Sequence, residues 1–244
     1  MPVTKSQVKY IQSLAYKKFR DTEGVFVVEG PKIVKELLLA GNLRPGPVYG
    51  LPGFIGELPP SLRSGLTAIN ESELERLSAL TTPNTVVAVF EKPVFPAPVF
   101  DSGIFLALDG IQDPGNLGTI VRLADWFGIV TVVCSPDSAD VFSPKAIQST
   151  MGSIARVPVC YADPAGLIRD SGLPVYAALL EGDGLYGIGK IDRGWILIGN
   201  ESKGIRPPLE ALATRRVTIP RIGQAESLNA AVATGIILSH LVGR

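Results

Sequence analysis

Polar and apolar positions follow two rhythms along this chain. Mostly apolar runs at 104–108, 130–134, 175–180, 195–199 and 216–219 have the length and continuity of strands buried on both faces. Between and after them, 117–127, 144–151, 164–170, 207–213 and 228–241 read as helices. Strand–helix alternation with short connections predicts an α/β fold, a parallel sheet wound by helices on both faces. The first 90 residues predict a smaller α/β unit. A helix over 6–16 puts Val8, Ile11, Leu14 and Ala15 on one side. A strand at 25–28 turns at Glu29-Gly30-Pro31, and Pro31 opens a helix that Gly41-Asn42 stops. A strand at 48–51, a Pro- and Gly-rich loop over 52–65, a helix from Asn70 to Leu80 and a strand at 85–90 complete it.

Three prolines, Pro93, Pro96 and Pro98, make 91–101 an extended, stiff connection. The expected division is a domain over 1–92, a linker over 93–100 and a second domain over 101–244. Composition narrows the class: 46% hydrophobic and 19% charged residues suit a globular protein with a sizeable core. No apolar run reaches the roughly 18 residues of a membrane span, and no apolar stretch of a signal peptide follows Met1. Cys134 and Cys160, both among apolar residues, exclude a disulfide framework and point to a reducing cytoplasm. With His240 the single histidine and no paired cysteines, zinc and Ser-His-Asp or Cys-His chemistry lack their residues, and no metal is expected. Net charge is zero, but residues 1–35 hold seven Lys and Arg against three Asp and Glu. Such an arm suits phosphate contacts, and also a solvated helix face.

Candidate chemistry lies in the loops at the carboxyl ends of the predicted strands, where ligand sites of open α/β sheets are found. After 104–108 comes Asp109-Gly-Ile-Gln-Asp-Pro-Gly-Asn-Leu-Gly-Thr-Ile-Val-Arg122, with Asn116 at an expected helix cap and Arg122 on the helix's second turn. After 195–199 comes Asn200-Glu201-Ser202-Lys203-Gly204. After 216–219 comes Pro220-Arg-Ile-Gly-Gln-Ala-Glu-Ser227-Leu228-Asn229, with Ser227 expected to cap the last helix. Two glycine patterns compete for attention. Gly182, Gly184 and Gly187 spell G-x-G-x-x-G, and Gly184 to Lys190 spells G-x-x-x-x-G-K. Neither leaves room for the helix whose N-terminus would meet a phosphate, and Ile191 replaces the magnesium-binding Ser or Thr. A surface loop is the simpler reading.

Taken together, the three loops resemble the signature motifs of the SpoU (TrmH-like) branch of the SPOUT RNA 2′-O-ribose methyltransferases. The matching residues are Asn116, Gly118 and Arg122; Gly199, Glu201 and Gly204; and Ile219, Pro220, Ser227, Leu228 and Asn229. The segment Ser143-Pro-Lys-Ala-Ile-Gln-Ser-Thr-Met-Gly-Ser is also similar to that family's, with Gln148 where many members have Arg. Residues 5–90, through Phe19-Arg20 and Val28-Glu29-Gly30, are similar more loosely to the L30e-like substrate-binding domain of the same enzymes. The resemblance implies a deep trefoil knot, which base rates alone would argue against. It implies S-adenosylmethionine as cofactor, held by Gly199, Asn200, Glu201, Ile219, Leu228 and Leu179. It also implies a homodimer with each site built across the interface.

The implied reaction methylates a ribose 2′-hydroxyl of RNA. Arg122, Asn116, Glu201, Ser227 and Asn229 form the implied catalytic set, and Lys17, Lys18, Arg20 and Lys145 the implied RNA contacts. Family likeness makes Arg122 the proton acceptor, yet a guanidinium keeps its proton over the ordinary pH range. Pairing with a phosphate and stabilising charge on the reacting oxygen suits it better. Ribosomal RNA is the expected substrate, because the extra domain suits structured RNA. Transfer RNA, or RNA binding without catalysis, are the alternatives.

Overall fold

The computed structural model describes residues 2–242; residues 1, 243 and 244, at the outer ends of the two expected domains, lie outside the described residues. The chain packs into two compact units. One holds the residues up to Val94 together with Phe142–Ala155, the other Phe95–Val141 with the residues from Arg156 onward.

The first unit contains α1 (Lys5–Ser13), α2 (Lys17–Glu23), β1 (Val25–Glu29), α3 (Pro31–Ala40) and β2 (Pro45–Gly50). It continues with α4 (Pro52–Glu57), α5 (Pro60–Arg63), β3 (Thr67–Ala68), α6 (Glu71–Leu77) and β4 (Val86–Glu91). Its sheet has the order β1-β4-β2-β3, with β4 antiparallel to both neighbours and β3 parallel to β2. Val8, Ile11, Leu14, Val27, Leu74 and Val89 share its core. The helix expected over 6–16 ends early, at Ser13, and a second, unexpected helix follows. Thr4 and Gln7 form a capping box at the start of α1, the chain turns at Leu14–Tyr16, and α2 follows. The expected loop over 52–65 contains α4 and α5, each opened by a proline in its first turn. Phe142–Ala155 packs with this unit although it lies far along the chain. Its helix α8 (Pro144–Thr150) places Gln148 so that Nε2 donates to the Glu29 carbonyl at 2.6 Å. Phe142 packs on Phe26, ring centres 5.3 Å apart.

The second unit is a six-stranded, wholly parallel sheet covered by helices. Its elements are β5 (Ile104–Asp109), α7 (Pro114–Trp126), β6 (Thr131–Cys134), β7 (Val159–Tyr161), α9 (Pro164–Ser171) and β8 (Val175–Gly184). After these come β9 (Gly194–Gly199), α10 (Pro207–Glu210), β10 (Arg215–Thr218) and α11 (Ala230–Leu241). The order is β10-β8-β9-β5-β6-β7. From β5 the chain runs outward through β6 to β7, then fills the other side. The direction of winding therefore switches between β5 and β9, and the carboxyl ends of such a pair are where open α/β sheets bind ligands. Trp195, Phe105 and Leu197 are fully buried at the centre, and Trp195 Nε1 donates to Ser171 Oγ at 2.9 Å. Among the described residues, no helix is long and apolar enough to cross a membrane.

The competing glycines have other duties. Gly182 and Gly184 lie on β8, which runs four residues past its expected end, and Gly187 lies in a 3-10 turn. β10 pairs with β8 at Arg216↔Ala177 and then at Val217↔Asp183, so 178–182 leaves the ladder between the two contacts. A Cβ on Gly182 would stand 2.7 Å from the Arg216 carbonyl oxygen where pairing resumes. Close backbone approach, and no phosphate, accounts for that glycine.

Candidate active site

The first motif begins at a helix cap, three residues earlier than expected. Asp113, not Asn116, caps α7: its carboxylate accepts from Asn116 N at 2.9 Å, and Pro114 occupies the first helical position. Asn116 therefore sits within the first turn with its side chain available. Its Nδ2 donates to Glu201 Oε1 at 2.7 Å, and its Oδ1 accepts from Asn229 Nδ2 at 2.8 Å. Asn229 caps α11, its Oδ1 accepting from Ala231 N at 2.9 Å and Val232 N at 3.2 Å. Ser227 does not cap this helix. It is exposed in the preceding loop and makes no hydrogen bond among the described residues, because the helix begins three residues later.

This relay has one possible direction. Helix amides can only donate and an ionised carboxylate can only accept, so both side-chain amides are oriented from their ends. Protons point from α11 through Asn229 and Asn116 to Glu201. Three segments distant in sequence are thereby tied together, with Glu201 half-buried at the terminus.

The second motif is a closed turn. Asn200 and Gly204 exchange two backbone hydrogen bonds at 3.0 Å. Gly204 has φ +68°, and a Cβ on Gly199 would stand 2.6 Å from the Gly204 oxygen and collide with its carbonyl carbon. Asn200 Oδ1 collects Ser202 N, Ser202 Oγ and Lys203 N, each at 3.0 Å, while Nδ2 donates to the Gly110 carbonyl at 2.7 Å. The expected cofactor residue Asn200 is thus occupied in holding the loop to the end of β5. Arg206, which the sequence reading missed, makes a second tie. Its backbone amide and Nε donate to the fully buried Asp109 carboxylate at 2.7 and 2.6 Å, Nη2 also pairs there, and the same guanidinium reaches Asp137. Chiefly the hydrogen bond to Asp109 raises the Arg206 pKa, and chiefly the Ser135 hydroxyl lowers that of Asp137. A pairing signal was available only after folding, since Asp109 and Arg206 are 97 residues apart.

The other expected residues divide. Leu179 lies half-buried in the 178–182 excursion, Ile219 is half-buried just past β10, and Leu228 is exposed before α11. With Gly199 they occupy the carboxyl ends of the adjacent strands β10, β8 and β9. Arg122 is not joined to the relay. Six residues after Asn116 on α7, it points about 120° away around the helix. It is exposed, and its guanidinium makes no hydrogen bond or ion pair among the described residues. It shares its face with Trp126, which is 83% exposed. Lys17, Lys18 and Lys145 are exposed, Lys17 pairing with Asp21 at 3.2 Å. Arg20 must be removed from the RNA-facing set: it is 2% exposed, and Nη1 donates to the Leu14 and Ala15 carbonyls, each at 2.7 Å. Its charge holds the α1–α2 turn. Burial raises the Cys134 thiol far above its ordinary range, leaving it inert. Among the described residues, no cluster of three or more His, Cys, Asp or Glu could hold a metal ion.

Known proteins share both the fold and the sequence. Residues 103–239 match the SpoU rRNA Methylase family, and residues 5–88 match the MRM3-like substrate binding domain. The chain belongs to the SpoU rRNA methylase family. It is 32% identical to the 23S rRNA (guanosine(2553)-2′-O)-methyltransferase of Bacillus subtilis, over 97% of this chain and 96% of that protein. A TrmH-family structure from Porphyromonas gingivalis is 39% identical and superposes with a TM-score of 0.86, covering 98% of each chain. An AdoMet-bound rRNA methyltransferase from Sinorhizobium meliloti is 31% identical with a TM-score of 0.84, covering 98% of this chain and 95% of that one.

Proposed function

We propose that this protein methylates a ribose 2′-hydroxyl of ribosomal RNA, using S-adenosylmethionine, and works as a cytoplasmic homodimer. The observation that carries the reading is the Glu201–Asn116–Asn229 relay at the sheet's switch point. The Gly199–Glu201 turn, Leu179, Ile219 and Leu228 would hold the cofactor, mainly through backbone and apolar contacts. When bound, it supplies an electrophilic methyl group on a sulfonium. The chain's own part is positional: the relay fixes one carboxylate oxygen of Glu201 and leaves the other to orient a bound group. Arg122 would pair with the target's phosphate and stabilise charge developing on the attacking oxygen. Two such sites, each completed by Arg122 of a second copy, would explain why Arg122 faces away from its own relay. Exposed Trp126 on α7 and Val232 on α11 would give that contact its apolar centre. On this reading the C-terminal end of the second domain carries the deep knot the resemblance implies, and the functional division is 1–92, 93–100 and 101–244.

The test is transfer of labelled methyl from S-adenosylmethionine to separately purified, unmodified ribosomal RNA and transfer RNA, with Arg122→Ala alongside. Label on ribosomal RNA 2′-oxygens, lost in the variant, is expected. Label on transfer RNA alone would overturn the substrate, and label undiminished in Arg122→Ala would overturn the role of Arg122.

A further inference from the structure

The first unit carries two aromatic rings where burial would have been the cheaper choice. Tyr16, at the cap of α2, is 68% exposed, and Phe19, one turn on, is 44% exposed. Their rings meet edge to face, centres 6.5 Å apart at 70°. Most other large apolar side chains of α1, α3 and α6 are turned into the core, so exposure here is not the habit of this unit. Nor is it a sign of looseness. The buried Arg20 guanidinium holds the Leu14 and Ala15 carbonyls, and Phe19 N and Arg20 N both bond to the Tyr16 carbonyl. Ordering a guanidinium in the interior is costly unless its donors are matched, and these bonds fix the turn from which Tyr16 projects. The rings are therefore presented on a rigid support.

What surrounds them selects the partner. Lys17 and Lys18 lie between the two rings in sequence, both exposed. Lys92 binds Asp21 at 2.6 Å and Lys17 binds it at 3.2 Å, so the one carboxylate of α2 nearest the rings is shared by two ammonium groups. With Glu23 counted, the exposed charges of α2 itself cancel, Lys17 and Lys18 against Asp21 and Glu23, and Lys92 brings the neighbourhood to +1. Aromatic faces interleaved with lysines match a nucleic-acid strand, whose bases have π-faces and whose linkages carry negative charge. A paired helix hides its base faces in the stack. We propose that Tyr16 and Phe19 form a stacking platform for an unpaired RNA base, with Lys17 and Lys18 on the flanking phosphates. The inference deepens the RNA-methyltransferase reading and rests on it for the identity of the polymer. It makes the bound part of the substrate a single-stranded or looped segment of the RNA.

The test uses the whole protein and two probes: a fluorescent single-stranded RNA of about a dozen nucleotides, and the same sequence as a blunt duplex. Binding is followed by anisotropy at fixed salt. Tyr16→Leu/Phe19→Leu keeps the apolar surface and removes the rings. It is expected to weaken single-strand binding by about 5- to 100-fold and to leave the duplex nearly unchanged. Tyr16→Phe should retain affinity, because the π-face survives. Lys17→Ala/Lys18→Ala should weaken both probes and flatten the salt dependence. Thermal unfolding and S-adenosylmethionine binding of the Leu variant should match the parent. Unchanged single-strand affinity, an equal loss on the duplex, or a parent that prefers the duplex would each overturn the platform. A changed sedimentation coefficient with RNA affinity intact would assign the rings to a protein contact and overturn it too. Absent methyl transfer with the ring-dependent binding intact would sink the catalytic reading and leave the platform standing.

Discussion

Replacing Asn116 by Asp tests the relay with almost no change of shape. Asn116 is the single member that both donates to Glu201, at 2.7 Å, and accepts from Asn229, at 2.8 Å. An aspartate keeps the acceptor and turns the donor into a second carboxylate facing Glu201. At a charge separation of roughly 4 Å and an effective dielectric near 20, two carboxylates repel by about 4 kcal/mol. Both groups are half-buried, so solvent screening cuts this to about 2 kcal/mol. The lost hydrogen bond to a charged acceptor adds about 1.5 kcal/mol. A destabilisation of about 3–4 kcal/mol is expected at pH 8.

Repulsion also sets the sign of the pH dependence. It raises the folded-state pKa of the carboxylate pair above the unfolded value, so the folded variant holds a proton that the unfolded chain releases. The deficit is therefore absent at low pH and grows as pH rises through the raised folded value. Urea denaturation of parent and variant between pH 5 and pH 8 reads this directly, as a gap that widens with pH. Asn229→Asp is the control. It keeps the acceptor for the two amides of α11 and puts negative charge at a helix start, losing only its donation to Asn116, for a net cost of about 1 kcal/mol. An Asn116→Asp protein with the parent's midpoint at pH 8, or with the same deficit at pH 5 and pH 8, would refute the relay as described.

The remaining predictions concern the turn, its anchor and the outer face of α7. Gly199→Ala should abolish S-adenosylmethionine binding in calorimetry while the protein stays folded, because the added Cβ meets backbone atoms of Gly204 and Ile205 that cannot move without opening the turn; unimpaired binding would show the turn to be dispensable. Arg206→Ala leaves the buried Asp109 carboxylate with a backbone amide alone, and should cost about 2–3 kcal/mol in denaturation, with much of it recovered in Arg206→Met/Asp109→Asn; no loss in the single variant would refute the tie. Trp126→Glu should yield monomers in sedimentation and lose methyl transfer with cofactor affinity retained, and an active monomer would refute the shared site.

Five of the six β-strands of the second unit were legible because continuous apolar runs buried on both faces leave few alternatives, and most of their ends fell within two residues of expectation; β7, three residues long at the sheet edge, was not expected. Helix starts were harder where two capping residues compete. Asp113-Pro114 and Asn116 both announce a start, and the proline decides, since its fixed backbone angle suits the first turn. Ser227 and Asn229 pose the same choice at α11, and Asn229 prevails with two amide partners. α2 was missed because it has no apolar stripe: its one buried side chain is a charged arginine. What local pattern cannot carry is long-range pairing. The register jump between β8 and β10, the packing of Phe142–Ala155 with the first unit, and the Asp109–Arg206 pair all join residues tens of positions apart. Family likeness identified the relay's members, though not their order, which follows from donor and acceptor chemistry once the distances are known.

That order bears on why the proposed site would be split between two chains. Asn116 spends its donor on Glu201 and its acceptor on Asn229, so it has little left with which to steer a guanidinium. Arg122 occupies a different face of the same helix, beside an exposed tryptophan. Were Arg122 on the relay face, its charge would pair with Glu201, since an ion pair at that range outweighs a hydrogen bond to a neutral amide. The carboxylate would then be consumed before any ligand arrived. Holding Arg122 on a different face of α7 from Asn116 keeps the Glu201 carboxylate and the Arg122 guanidinium apart within one chain. In the proposed dimer a second chain would bring them to a common substrate without allowing them to neutralise each other beforehand.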